Sequence, residues 1–252
     1  MKYQEFLSQF SSESITRTSS RNFSTNKIHI DQSALNIDEK VFSMFEEYAK
    51  KNNFIENFNE LMSGERLNNT ENRAVTHFNY RDAKSDIYEA SLNKMGTLAS
   101  VIKSKFKKIL IFGIGGSYLG PKLMNDIFSS QDIEIDFITG SDSTEYQNYI
   151  EQDLSDCAFI ITSKSFSTIE TLTSYSAITK GKLLDQTFAV TSAVNKAEAF
   201  GIDSNNIAQI DLGTGGRFSI WSAVNLGLFI SLGRDGFENL LSGAKSIDDL
   251  SS

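Results

Sequence analysis

The chain has 252 residues, 40% of them hydrophobic and including 19 Phe and 8 Tyr, which is enough apolar surface for one large domain or one domain plus an extension. Its net charge of −8 argues against a general nucleic-acid or anionic-membrane surface, while leaving room for a local cationic pocket that takes an anionic small molecule. The single cysteine, Cys157, excludes an internal disulfide and a Cys-rich metal site and points to a reducing cytoplasm, and no run approaches the roughly 18 apolar residues of a membrane span.

The N-terminal stretch MKYQEFLSQFSSESITRTSS lacks the continuous apolar core of a secretory signal, and Glu5 and Glu13 break a transit-peptide pattern. Residues 8–25 are rich in Ser and Thr and read as irregular. Over 38–62, Val41, Phe42, Phe45, Tyr48 and Ala49 fall at helical spacing, which predicts an amphipathic helix with its aromatics packed in a core. A polar segment around a glycine turn, Ser63 to His77, follows. Residues 83–105 predict a further helix with Ile87, Ala90, Leu92, Met95, Leu98 and Ile102 along one side.

From residue 107 the pattern changes. Short apolar runs at 109–114, 133–139, 157–162, 187–191 and 207–212 alternate with amphipathic segments at 118–129, 143–153, 168–180 and 194–200. Strands alternating with helices of this length predict right-handed βαβ units. The fold class is therefore three-layer α/β, with a parallel sheet of about five strands covered on both faces. After 216 a long apolar helix is predicted, with another beginning at Gly236.

Ligands of such sheets bind beyond the carboxyl ends of the strands, so the loops there carry the candidate residues. The first is Gly113-Ile114-Gly115-Gly116-Ser117, whose glycines permit a sharp turn with backbone N–H groups converging on an anion. A dinucleotide fingerprint would need a third glycine where Tyr118 stands, although Asp142 lies near where a ribose-binding acid would sit. The second is Ser163-Lys164-Ser165-Phe166-Ser167-Thr168, four hydroxyls and one ammonium at a predicted helix N-terminus. O–H donors, free N–H groups and a full positive charge suit a phosphate dianion held without a metal. Helix capping, the alternative reading, requires only one Ser or Thr there. The third is Gly215-Gly216-Arg217, where an arginine behind two glycines can approach an anionic oxygen or, alternatively, cap loop carbonyls. The two histidines, His29 and His77, have no His or Cys neighbours, so no metal site is predicted, and His77 reads as structural.

Taken in order, GIGGSYLGP at 113–121, SKSFSTIET at 163–171 and GGRFSIWSAVNLG at 215–227 resemble the glucose-6-phosphate isomerase family and its sugar-isomerase (SIS) domain. SGERLNNTENRAVTH at 63–77 and GFENLLSGAK at 236–245 extend the resemblance to about residues 30–250. It implies a flavodoxin-like, SIS-type α/β/α sandwich with a helical N-terminal extension. The expected divisions are 1–95 for the extension and leader, 96–235 for the sugar-isomerase domain, and 236–252 for the start of a helix leading to a second domain.

The resemblance also implies interconversion of glucose 6-phosphate and fructose 6-phosphate through an enediol(ate), by a cytoplasmic homodimer, with no metal or nucleotide cofactor. Ser163, Lys164, Ser165 and Thr168 would bind the sugar phosphate, Gly116 and Ser117 would line the sugar, and Arg217 would steady the enediolate charge. That role agrees with what a preorganised cation does for a developing oxyanion. The sequence departs from the family in three places. Ser165 stands where Thr is usual, and DLGTGGR is a different lead-in to the arginine. The base glutamate, ring-opening histidine and late lysine are expected in a domain that would follow Ser252. Glu170 matches an acid of the phosphate-loop helix rather than the base. A non-catalytic sugar-phosphate-sensing domain and an amino-sugar-phosphate isomerase are the other readings.

Overall fold

The computed structural model describes residues 4, 5, 8, 22–24, 29–32, 38–65, 67–129, 132–140 and 142–251. The chain divides into two compact units, 1–66 and 67–252.

In the first unit, β1 (Asn22–Ser24) pairs antiparallel with β2 (His29–Asp31). The Ser/Thr-rich 8–25 segment lies largely outside the described residues, and its described end is this strand rather than irregular chain. The helix predicted over 38–62 is two helices, α1 (Glu39–Lys51) and α2 (Phe54–Ser63). The Asp38 carboxylate caps α1 by accepting from the Val41 N–H, and Asn53, in the left-handed conformation at φ 50°, separates the two. Val41 and Met44 are buried, whereas Phe45, expected in a core, is exposed.

The second unit is built on a parallel sheet of five strands in the order β4-β3-β5-β6-β7. These are β3 (Lys108–Phe112), β4 (Glu134–Ile138), β5 (Cys157–Thr162), β6 (Thr187–Thr191) and β7 (Ile207–Gln209). The chain thus starts near one edge, adds β4 outside β3, then reverses to add β5, β6 and β7. That is the doubly wound, flavodoxin-like order.

Each strand alternates between two cores. Ile109, Ile111, Ala158, Ile160, Phe188 and Val190 face one side with α3 (Asp86–Lys105) and α8 (Leu226–Ser251). Leu110, Phe112, Phe159, Ile161 and Ala189 face the other with α5 (Ser143–Ile150), α6 (Ile169–Thr179) and α7 (Val194–Phe200). Apolar residues on both faces are what a sheet covered on both sides requires, and each full burial of a large side chain contributes about 1.5–3 kcal/mol. The fold is a three-layer α/β/α sandwich.

Two predicted elements differ in detail. Leu92, Met95, Leu98 and Ile102 of α3 are buried as expected, but Ile87 and Ala90 are not. The long helix predicted after 216 begins as 3-10 turns at Gly216–Trp221 and Ala223–Asn225, and α8 then breaks at Gly233 (φ 72°, ψ 179°).

Candidate functional site

Three loops at the carboxyl ends of strands meet around a cavity of about 570 Å³. After β3 the chain does not enter a helix directly. Gly115–Ser117 forms a 3-10 turn, and α4 (Leu119–Phe128) begins after Tyr118. Gly116 and Ser117 line the cavity. A Cβ at Gly116 would lie 2.2 Å from the Gly216 carbonyl oxygen, so two backbones touch where no side chain fits.

After β5, Ser163, Lys164, Ser165 and Thr168 line the same cavity. Thr168 is the residue before α6, yet its hydroxyl makes no capping bond and lies 2.8 Å from Ser163 Oγ. The hydroxyl cluster is therefore not consumed by capping. Phe166 holds the loop in shape: it adopts φ 47°, is 4% exposed, and packs edge-on against Phe200 at 5.7 Å. The Lys164 carbonyl accepts from the Ser192 N–H (3.0 Å), Ser192 Oγ (2.7 Å) and Thr191 Oγ1 (3.1 Å), which ties the loop to the end of β6.

The third loop, 211–216, is fixed from both sides. Lys164 Nζ donates to the Thr214 carbonyl at 2.7 Å. Asp211 Oδ1 accepts from Thr76 Oγ1 and the Gly213 N–H, each at 2.7 Å, and the Asp211 N–H donates to the Tyr80 hydroxyl at 2.9 Å. Gly216 lines the cavity; Arg217, next in the chain, is exposed and does not line it. The loop is braced beyond Arg217 by Phe218, whose ring stacks on His77 at 4.5 Å.

Of the seven residues singled out in the sequence, the cavity thus gathers six and leaves Arg217 beside Gly216. Asp142 caps α5 by accepting from the Thr144 N–H, and neither it nor Glu170 lines the cavity. The lining also includes residues that sequence reasoning passed over: Glu71, Arg73, Ser192 and Lys196. Ser192 and Lys196 follow β6, and inspecting that strand end like the others would have found them. Glu71 and Arg73 follow no strand; they lie in the polar 63–77 segment, which carried part of the family resemblance but gave neither residue a role.

Electrostatically the cavity is cationic. Burial, and then the charge of Arg73, pull the Lys164 ammonium below its ordinary pKa, with Glu71 and Asp211 opposing. Hydroxyls and cations in this arrangement suit a phosphate. Glu71 is the one carboxylate of the lining, and Arg73 donates to its Oε2 from both Nε and Nη2. No uncommitted acid or base lines the cavity among the described residues. Nor do those residues contain a cluster of three or more His, Cys, Asp or Glu able to hold a metal, or a helix long and apolar enough to cross a membrane.

A family model for phosphoglucose isomerase matches residues 31–251. Glucose-6-phosphate isomerase of Saccharophagus degradans is 30% identical over 88% of this chain and 46% of its own length. That of Shewanella baltica is 36% identical over 75% of this chain and 41% of its own. The chain therefore spans under half the length of the curated relatives it matches. Among solved structures, a glucose-6-phosphate isomerase from Chlamydia trachomatis superposes with a TM-score of 0.75 at 23% identity, covering 90% of this chain and 49% of that one, which shows a shared fold. With the match running from the middle of the first compact unit through nearly all of the second, the chain belongs to the phosphoglucose isomerase family.

Proposed function

We propose that this chain carries the sugar-phosphate-binding part of an aldose–ketose isomerase that interconverts glucose 6-phosphate and fructose 6-phosphate through an enediol(ate). The observation that carries the reading is the convergence of Gly116, Ser117, Ser163, Lys164, Ser165 and Thr168, from two separate loops, on one cavity. In this reading the hydroxyls of Ser163, Ser165 and Thr168 and the Lys164 ammonium hold the phosphate, and Gly116 and Ser117 leave room for the sugar. Arg217, exposed beside Gly216, extends over the reacting carbons and steadies the enediolate. A permanent guanidinium needs no reorganisation as that charge develops.

The proton-transferring groups come from outside residues 1–252. Two observations support this reading: the single carboxylate of the cavity's lining is bonded to Arg73, and the chain spans under half the length of the relatives it matches. The full-length protein acts as a cytoplasmic homodimer in sugar-phosphate metabolism.

Calorimetric titration with fructose 6-phosphate and with fructose tests the binding assignment, and a coupled assay tests the rest. The phosphorylated sugar should bind and the neutral sugar should not. The 252-residue chain alone should turn over at least roughly 10²–10⁴-fold more slowly than an isomerase with a positioned base. Equal binding of both sugars would remove the phosphate assignment, and rapid turnover would remove the claim that the base lies elsewhere.

A further inference from the structure

The ion pair of Glu71 and Arg73 lies in the cavity wall although no strand end delivers it there. A tight turn places it. The Asn68 N–H donates to the Arg73 carbonyl at 2.8 Å, and the Asn72 N–H donates to the Asn68 carbonyl at 2.7 Å, with Asn72 at φ 49°. Asn68 Oδ1 accepts from the Thr70 N–H and hydroxyl, which stiffens the same turn. Arg73 is half-buried and Glu71 exposed, so the guanidinium is the inner partner.

Two features set this pair apart from an ordinary surface pair. Both donated bonds from Arg73 go to one carboxylate oxygen, Oε2, through Nε and Nη2, so two of five guanidinium donors are used. The pair faces a wall that already carries the Lys164 and Lys196 ammonium groups, and Lys196 Nζ is turned to the Ser165 carbonyl at 3.2 Å. Placing a third cation beside two others is unfavourable unless an anion offsets it. Glu71 is the anion present. With Lys164, Lys196 and Arg73 positive and Glu71 negative, the wall carries two net positive charges, the complement of a phosphate dianion.

We propose that Arg73 is a further phosphate-binding residue of this site, and that Glu71 is its built-in counter-ion, setting the wall's net charge to match a dianion. The inference rests on the sugar-phosphate reading of the cavity. Glu71 keeps the guanidinium oriented while the site is empty, and the remaining donors of Arg73 then reach the phosphate beside Lys164. The bond from Arg73 holds the Glu71 carboxyl below its ordinary pKa, so this counter-charge persists through the neutral range.

The test is a double-mutant cycle on the 252-residue chain, with inorganic phosphate and fructose 6-phosphate as titrants at neutral pH and circular dichroism as the check on folding. Arg73→Ala should weaken both ligands about tenfold or more, the usual weight of a hydrogen bond between charged groups. Glu71→Gln should tighten both and should increase the preference for dianionic over monoanionic phosphate between pH 5 and pH 8, because the wall then carries one more net positive charge. The variant carrying both changes decides the matter. If Arg73 contacts phosphate, that variant stays weaker than wild type; if Arg73 merely neutralises Glu71, it binds like wild type and the inference falls. Failure of the wild-type chain to bind either titrant would instead remove the sugar-phosphate reading, which separates the two failures.

Discussion

His77 sits under the loop that presents Arg217, 7% exposed, with its ring stacked on Phe218 and 4.1 Å from Phe78. Its Nδ1 is buried without a hydrogen-bond partner among the described residues. Burial, reinforced by the nearby Arg81 charge and opposed by Asp248, lowers its pKa from 6.5 to about 4. A depressed folded-state value means that the folded form resists protonation while the unfolded chain does not. The associated stability is complete above pH 6.5 and is lost as pH falls from there to about 4, a difference of up to about 3 kcal/mol. Urea unfolding at a series of pH values should therefore show His77→Phe flattening the decline over that window while keeping the stack. An unchanged slope would remove His77 as its source. The same pocket holds Arg81, 6% exposed, between the Phe78 and Trp221 rings and paired with Asp248 through Nε and Nη2. The structural reading of His77 drawn from the sequence rested on its lack of partners for chemistry. The physical role, an aromatic brace beneath the arginine loop, needed Phe218 to be seen beside it.

Among the elements, α8 shows what places a break between two helical runs. The sequence reads as a long apolar helix followed by another from Gly236, and the break between them falls at Gly233, which takes φ 72° and ψ 179°, a conformation available essentially to glycine alone. No atom lies within 4 Å of a Cβ built there, so the constraint is conformational rather than steric crowding. Gly233→Ala should cost about 1–3 kcal/mol, read as a lowered denaturant midpoint with an unchanged slope. A neutral substitution would mean that the helix can straighten at no cost. The strands were far more legible. Segments of five or six mostly apolar residues at 108–112, 157–162 and 187–191 have no room for a helix, and all their residues except Lys108 are buried. Ends were less legible, as at β7, where pairing stops at Gln209 and Ile210 to Leu212 turn into the loop that meets Thr76.

For the whole molecule, every lining residue of the cavity lies in the 67–252 unit. A fragment of residues 67–252 is expected to bind fructose 6-phosphate within about twofold of the full chain, a difference below the ~0.4 kcal/mol equivalent of that factor. Loss of binding by a fragment that still shows the α/β circular-dichroism spectrum would assign part of the site to residues 1–66.

By itself the sequence determined the alternation of strands and helices, the loops that carry hydroxyls, glycines and cations, and the family those motifs resemble. Each of these is a short-range pattern: two-residue alternation in strands, helical spacing, or an excess of donors over what a cap consumes. Only the tertiary structure decided which loops meet. The backbone contact of Gly116 with Gly216, the Lys164 bond to Thr214 and the arrival of Glu71 and Arg73 in the cavity wall join residues far apart in the chain. Such contacts leave no periodicity behind, because they depend on strand order and on where each turn is pinned.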